Sequence, residues 1–260
     1  MNRIDAKFNK LRAEGKKGII AYLTAGDPDL ETTEELVCRL AESGAAMVEL
    51  GVPFSDPVAD GPVIQAAAGR ALQNGVTLKD VLELTSRLRS RLDIPLLVMT
   101  YYNPVYSFGL ESFVHTASKS GLDGVIVPDL PLEESENLSK MLQQAGLHLI
   151  QMLAPTSSPG RIKAAVKNAG GFIYCVSVSG VTGARTDLPA SGYELLTRVR
   201  SETDLPLALG FGISRPEQVS SLGDEADAVI IGSAIVRLVE EGGGRDEILK
   251  RVTSYLKNFN

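Results

Sequence analysis

The sequence predicts an α/β fold, a single (β/α)8 TIM barrel with an extra N-terminal helix, and three observations carry that prediction. Eight short apolar runs are spaced along the chain, helical stretches alternate with them, and 260 residues suits one such barrel, for which about 250 is typical. Eight units favour closure of a parallel sheet over the open, doubly wound alternative. No run is followed by G-x-G-x-x-G; the nearest string, "GFGIS", lacks the third glycine.

Taken in order, the charged opening "MNRIDAKFNKLRAEGKKG" supplies the extra helix. The strands follow as "GIIAYLTAGDP", "AAMVELGVPF", "PLLVMTYYNP", "DGVIVPDLP", "LHLIQMLAP", "GFIYCVSVSG", "PLALGFGIS" and "DAVIIGSA", each closing on residues that end a strand. Between them lie helical patterns such as "DLETTEELVCRLAESG", "LEESENLSKMLQQAG" and "RIKAAVKNAG". Gly44, Gly121 and Gly146 stand where a helix ends in a left-handed residue. Residues 1–260 read as one barrel domain without a linker, and the repeat is one of pattern rather than of sequence identity.

A formal net charge of −6 argues against nucleic acid or an anionic membrane as the main partner. The opening lacks the apolar stretch of about 7–15 residues found in a signal peptide, and no segment reaches the roughly 18 apolar residues of a membrane span, so the cytoplasm is expected. The two cysteines, Cys38 and Cys175, fall in a helical and a strand pattern and are expected as reduced core residues. His115 and His148 have no His or Cys neighbour at ligand spacing, so no metal site is expected.

Active sites of such barrels lie at the C-terminal ends of the strands. Glu49 sits near the end of the second run, on the face shared with Met47, where burial would raise its pKa and suit it to proton transfer. The alternative is a rim carboxylate paired with Arg or Lys. Asp60, in the loop ahead, makes an acid/base pair with Glu49 or merely caps the helix "DGPVIQAAAGRAL". The last two loops, holding Gly210, Gly212, Gly232 and Ser233, are expected to bind phosphate through main-chain N–H groups and a helix N-terminus, or else are simply tight turns. They contain no Lys or Arg, so Arg215 and Arg237 beyond them are expected to matter much less than the glycines. The long loop "SVSGVTGARTDLPASG" reads as a lid over Gly180–Asp187 or as a plain connection.

Together "VELGVPFSDPVADGPVIQ", "TAGDP", "YCVSVSGVTGAR" and "GFGIS" resemble the tryptophan synthase alpha subunit family, in order, from about Ile19 to Ser233. The resemblance implies retro-aldol cleavage of indole-3-glycerol phosphate into indole and glyceraldehyde 3-phosphate. It implies an α2β2 complex whose beta subunit carries pyridoxal phosphate, with no cofactor in this chain. On that basis Glu49 is the general acid/base, Asp60 pairs with the indole N–H, and Tyr174 supports the substrate or is simply a packed strand aromatic. Thr182 reaches a catalytic carboxylate when the lid shuts, Tyr22 and Phe211 wall the pocket, and Gly183 joins Gly212, Gly232 and Ser233 around the phosphate.

Two rivals remain at this point. A non-catalytic docking subunit would have no need of both Glu49 and Asp60. An indole-3-glycerol phosphate synthase would show a lysine near the strand ends, and the eight runs contain none. "TYYNPVYSFG" places Tyr101, Tyr102, Tyr106 and Phe108 within eight residues of a chain only 5% aromatic; beside Pro53, Asp56 and Pro57 they are expected either as an exposed interface for the beta subunit or as a plug over the barrel top.

Overall fold

The first helix, α1 (Arg3–Ala13), starts at Asn2, whose side chain accepts from the Ile4 N–H at 2.8 Å. The computed structural model describes residues 1–177, 190–210 and 212–259. After α1 come β1 (Gly18–Thr24), α2 (Leu30–Glu42), β2 (Met47–Gly51), α3 (Pro62–Gln73), α4 (Leu78–Arg89), β3 (Leu96–Met99), α5 (Tyr102–Phe108), α6 (Leu110–Lys119) and β4 (Gly124–Ile126). The second half runs α7 (Glu136–Gln144), β5 (His148–Leu153), α8 (Pro159–Asn168), β6 (Ile173–Val176), α9 (Ala190–Arg200), β7 (Leu207–Gly210), α10 (Pro216–Ser221), β8 (Ala228–Ile231), α11 (Ser233–Glu240) and α12 (Arg245–Lys257). The strands pair in parallel in chain order and β8 returns to β1, closing the barrel as the alternating pattern predicts.

Strand alternation divides the apolar residues into two layers. Ile20, Met47, Leu97, Ile126, Ile150 and Ile230 fill the barrel, whereas Ala21, Val48, Leu96, Val98, Val125 and Val229 pack outward against the helices. At the N-terminal end of the barrel, α1 sends Ile4 and Phe8 into the inner layer, and Phe8 meets Phe172 with ring centroids 5.6 Å apart. A methyl on Gly124 would stand 2.9 Å from Ile4 Cδ1, so the bare strand start makes room for this plug. Gly44, Gly121 and Gly146 follow α2, α6 and α7 with φ of 96°, 77° and 78°, the left-handed endings expected.

The same end carries two matching ionic clamps. Arg89, at the end of α4, donates to the Leu92 and Ile94 carbonyls and to Asp123, whose carboxylate also accepts from Leu96 N–H. Arg200, at the end of α9, donates to the Thr203 and Leu205 carbonyls and to Asp227, which accepts from Leu207 N–H. The two clamps lie four strands apart and α1 spans them, Arg3 reaching Asp123 at 3.1 Å and Arg12 reaching Asp227 at 2.8 Å. The two halves repeat the same local signature, "RLRSRLDIPL" from Arg87 to Leu96 and "RVRSETDLPL" from Arg198 to Leu207, with Asp123 and Asp227 each standing just before the strand that follows.

Candidate active site

At the opposite, C-terminal end the barrel opens into a cavity of about 550 Å³. The sequence puts Glu49 on the face of β2 shared with Met47; the structure turns that face inward and buries Glu49 completely, at 0% exposure. Neither carboxylate oxygen has a hydrogen-bond partner among the described residues, which argues against the paired rim carboxylate. Burial and then the nearby charge of Asp60 push its pKa up to about 8. An uncompensated buried acid costs several kcal/mol when ionised, so Glu49 carries its proton at neutral pH.

Asp60 lines the same cavity, but capping does not account for it. The N-cap of α3 is Gly61, with no side-chain cap bond, and Pro62 occupies the first turn. Tyr101 donates its hydroxyl to the Asp60 carboxylate while accepting from Ala59 N–H at 2.9 Å. Burial raises Asp60 to about 6, with the Tyr101 bond pulling the other way. The two carboxyls of the pocket therefore occupy different protonation states between about pH 6 and about pH 8.

Tyr101 corrects the expectation of an exposed aromatic cluster. It is 3% exposed and stacks on Phe54 at 5.1 Å, whereas Tyr106 is 68% exposed; Tyr102 and Phe108 are half-buried against the core. Consecutive positions diverge here because α5 begins at Tyr102 and turns its residues onto successive faces.

Tyr22 and Tyr174 line the cavity from opposite sides of the strand order, β1 and β6. Each ring lies across the strand-end glycine of the next strand. A methyl on Gly51 would fall 2.1 Å from Tyr22 Oη, and one on Gly210 would fall 2.5 Å from the Tyr174 ring. Gly210 thus gives space to a tyrosine rather than to an anion, a revision of its expected part in phosphate binding. Burial, followed by the neighbouring carboxylates, raises both phenols well above their usual pKa, so both remain protonated.

Gly212, Gly232 and Ser233 all line the cavity, as expected. Gly212 has φ +85°, and no described residue beyond its chain neighbours stands within 4 Å of the point a Cβ would occupy there. Gly232 is the N-cap of α11, and the first turn of that helix, through Ser233 and Ala234, borders the same space. Buried Gln218 laces the β7 loop: its Oε1 accepts from Ser214 and Arg215 N–H at 2.8 and 2.9 Å, and its Nε2 donates to Gly212 O at 3.2 Å. Thr182, Gly183 and Phe211, with the lid segment Gly180–Asp187, lie outside the described residues.

Sequence reasoning missed Gln218, the β5 loop residues Thr156 and Ser157, and Arg161, which lines the cavity, and it read Tyr101 only as part of an aromatic cluster. The closing "LAPTSSPG" of the fifth run was the available signal for the β5 loop. Of the two arginines expected to matter much less than the glycines, Arg237 lines the cavity and Arg215 does not. Cys38 and Cys175 are buried free thiols. Among the described residues no three His, Cys, Asp or Glu side chains gather as a metal site.

A family model for the tryptophan synthase alpha chain matches residues 8–260. The tryptophan synthase alpha chain of Thermoanaerobacter sp. (strain X514) is 44% identical over 259 residues, covering 100% of this chain and 98% of that one. The alpha chain of Synechocystis sp. is 50% identical over 243 residues, with 93% and 92% covered. Among solved structures, Mycobacterium tuberculosis tryptophan synthase superposes with a TM-score of 0.91 at 34% identity, covering 99% of this chain and 96% of that chain. A structure described as the tryptophan synthase a2b2 complex from Pyrococcus furiosus gives 0.88 at 37%, with 93% and 97% covered. With the family model spanning nearly the whole sequence and full-length relatives well above 30% identity, the chain belongs to the tryptophan synthase alpha chain family.

Proposed function

We propose that this pocket cleaves indole-3-glycerol phosphate to indole and glyceraldehyde 3-phosphate, with Glu49 and Asp60 as its catalytic carboxyls. One observation carries the assignment of roles: Glu49 is fully buried, unpartnered and faces a cavity whose other carboxyl is the stronger acid. Its proton goes to C3 of the indole ring, making an indolenine-like leaving group. The positive charge that develops on the ring nitrogen is stabilised by ionised Asp60, which accepts from the N–H. Glu49, now a carboxylate, removes the hydroxyl proton from the adjacent glycerol carbon. That carbon becomes the aldehyde as the bond to C3 breaks, and the bonding electrons return to the ring as neutral indole. The proton taken equals the proton given, so the cycle closes without a resident cofactor.

The apolar walls, among them Ile64, Met99, Ile230 and Tyr22, suit a flat indole. Gly212, Gly232 and Ser233 suit the phosphate, with backbone N–H groups and the positive end of α11 supplying fixed donors. Gly183, Thr182 and Phe211 are assigned to the same site by resemblance alone, and Tyr174 to support of the substrate. We assign the chain to an α2β2 assembly, as in the Pyrococcus furiosus complex, with pyridoxal phosphate in the beta partner. No described helix is long and apolar enough to cross a membrane, and the cytoplasm is the compartment we assign.

The test is indole release from indole-3-glycerol phosphate by the purified chain, with and without a cognate beta subunit. Release that depends on Glu49 supports the assignment; absence of release in both preparations would overturn it.

A further inference from the structure

Arginines at the C-terminal end of the barrel are mostly engaged. Arg70 holds buried Asp27 through two bonds of 2.8 Å, Arg245 pairs with Glu31 at 2.7 Å, and Arg161 approaches Glu133 at 3.4 Å. Arg237 differs: it lines the catalytic cavity, is exposed, and forms no ion pair or side-chain hydrogen bond among the described residues. It stands four residues after Ser233 on α11, hence on the same helix face. Helical side chains lean toward the N-terminus of their helix, so a long side chain at this position covers the preceding turn, here the one that begins at Gly232. In a protein of net charge −6, that leaves Arg237 as an unneutralised cation, among the described lining residues, over the place assigned to a dianion, in a cavity whose depth holds the acid Glu49.

We propose that Arg237 is the phosphate-recruiting cation of this site: it draws the phosphorylated end of the substrate to the first turn of α11, where backbone donors then fix it. The inference rests on the reading of the pocket given above and deepens it by naming the residue that offsets the protein's negative field. Backbone N–H groups give direction and short range, whereas a guanidinium on a flexible stem acts over several ångströms through water. The two contributions differ in their response to salt.

The experiment measures indole release by the complex with its beta partner for wild type, Arg237→Gln, Arg237→Lys and Arg245→Gln at low and high ionic strength. Arg245→Gln removes the same charge outside the cavity and serves as the charge-matched control. Arg237→Gln is expected to raise KM ~3- to 10-fold at low salt, with the loss falling on KM rather than kcat and shrinking at high salt. Arg237→Lys should restore most of the affinity and Arg245→Gln should behave as wild type. An unchanged KM and salt dependence in Arg237→Gln, or an equal loss in Arg245→Gln, would overturn the proposal. Calorimetric titration of the full chain with glycerol phosphate keeps the two readings distinguishable. If wild type fails to release indole, the catalytic reading falls, while weaker glycerol phosphate binding by Arg237→Gln than by wild type still supports the recruiting role and equal binding refutes it.

Discussion

The aspartates beneath the barrel and the glutamate inside its catalytic cavity are treated in opposite ways. At the N-terminal end, Asp123 is 2% exposed and is held by Arg3, Arg89 and the Leu96 N–H; Asp227 is held likewise by Arg12, Arg200 and the Leu207 N–H. In the cavity at the C-terminal end, Glu49 is equally buried and has no hydrogen-bond partner among the described residues. Bonded acids fix strands, helix ends and the α1 plug in register. The unbonded acid ties no elements together, and the proton that burial keeps on it is what the proposed chemistry uses. Bonded acids such as Asp123, Asp227 and Asp27 serve the scaffold, and the unbonded one is confined to the cavity at the C-terminal ends of the strands.

The comparison breaks most sharply at Glu49. Glu49→Gln should lower turnover by ~10²-fold or more with the fold intact. Indole release measured on the folded variant decides it, and near-normal turnover would remove Glu49 from the mechanism. The same substitution should raise stability. Its folded pKa of about 8 lies above the ordinary 4.5, so wild-type stability is complete below about pH 4.5 and declines as pH rises toward 8. Urea unfolding across that window should show the variant gaining on wild type, by about 4 kcal/mol at pH 8.

Breaking the other end should have the reverse signature. Asp123→Asn strands the nearly buried Arg89, 13% exposed, and should cost about 3 kcal/mol of stability, with turnover per folded molecule preserved. Asp227 shows the opposite pH dependence to Glu49. Burial pushes its pKa up, but the bonds from Arg12, Leu207 N–H and Arg200 outweigh that and hold it below the usual value. Its contribution is present above about pH 4 and is lost as the solution becomes more acidic. Comparing acid unfolding of wild type and Asp227→Asn tests this, since the variant should lack part of the acid-dependent loss.

A smaller effect sharpens the contrast within the active site. The free-enzyme pH profile of kcat/KM should be bell-shaped, with limbs at about 6 for Asp60 and about 8 for Glu49. Tyr101→Phe removes the bond that lowers the Asp60 pKa, so the acidic limb should move to higher pH while the basic limb stays. The expected rate loss at pH 7 is roughly fivefold. An acidic limb unmoved in Tyr101→Phe would separate Asp60 from that limb.

What was legible beforehand depended on local periodicity. The closed order of eight strands, the left-handed glycines after α2, α6 and α7, and the inward face of β2 all follow from patterns only a few residues long. That is why Glu49 stood out: an acid on an apolar face is anomalous within its own strand. Asp60 could be noticed but not explained, because a cap and a catalytic acid share the same local sequence, and only the approach of Tyr101 from the end of β3 separates them. The aromatic cluster misled for the same reason, since composition does not say which of four neighbouring rings turns inward.

The sequence by itself determined the α/β alternation, the barrel it closes into, the family to which the chain belongs, and the strand ends where chemistry has to occur. Tertiary structure alone decided which charges are neutralised. Arg89 and Arg200 find aspartates 34 and 27 residues away, Tyr101 finds Asp60 from the neighbouring strand, and Arg237 finds none among the described residues. The reason is physical: side-chain periodicity is a property of one chain segment, whereas desolvation and ion pairing are properties of whatever other segments the fold brings alongside.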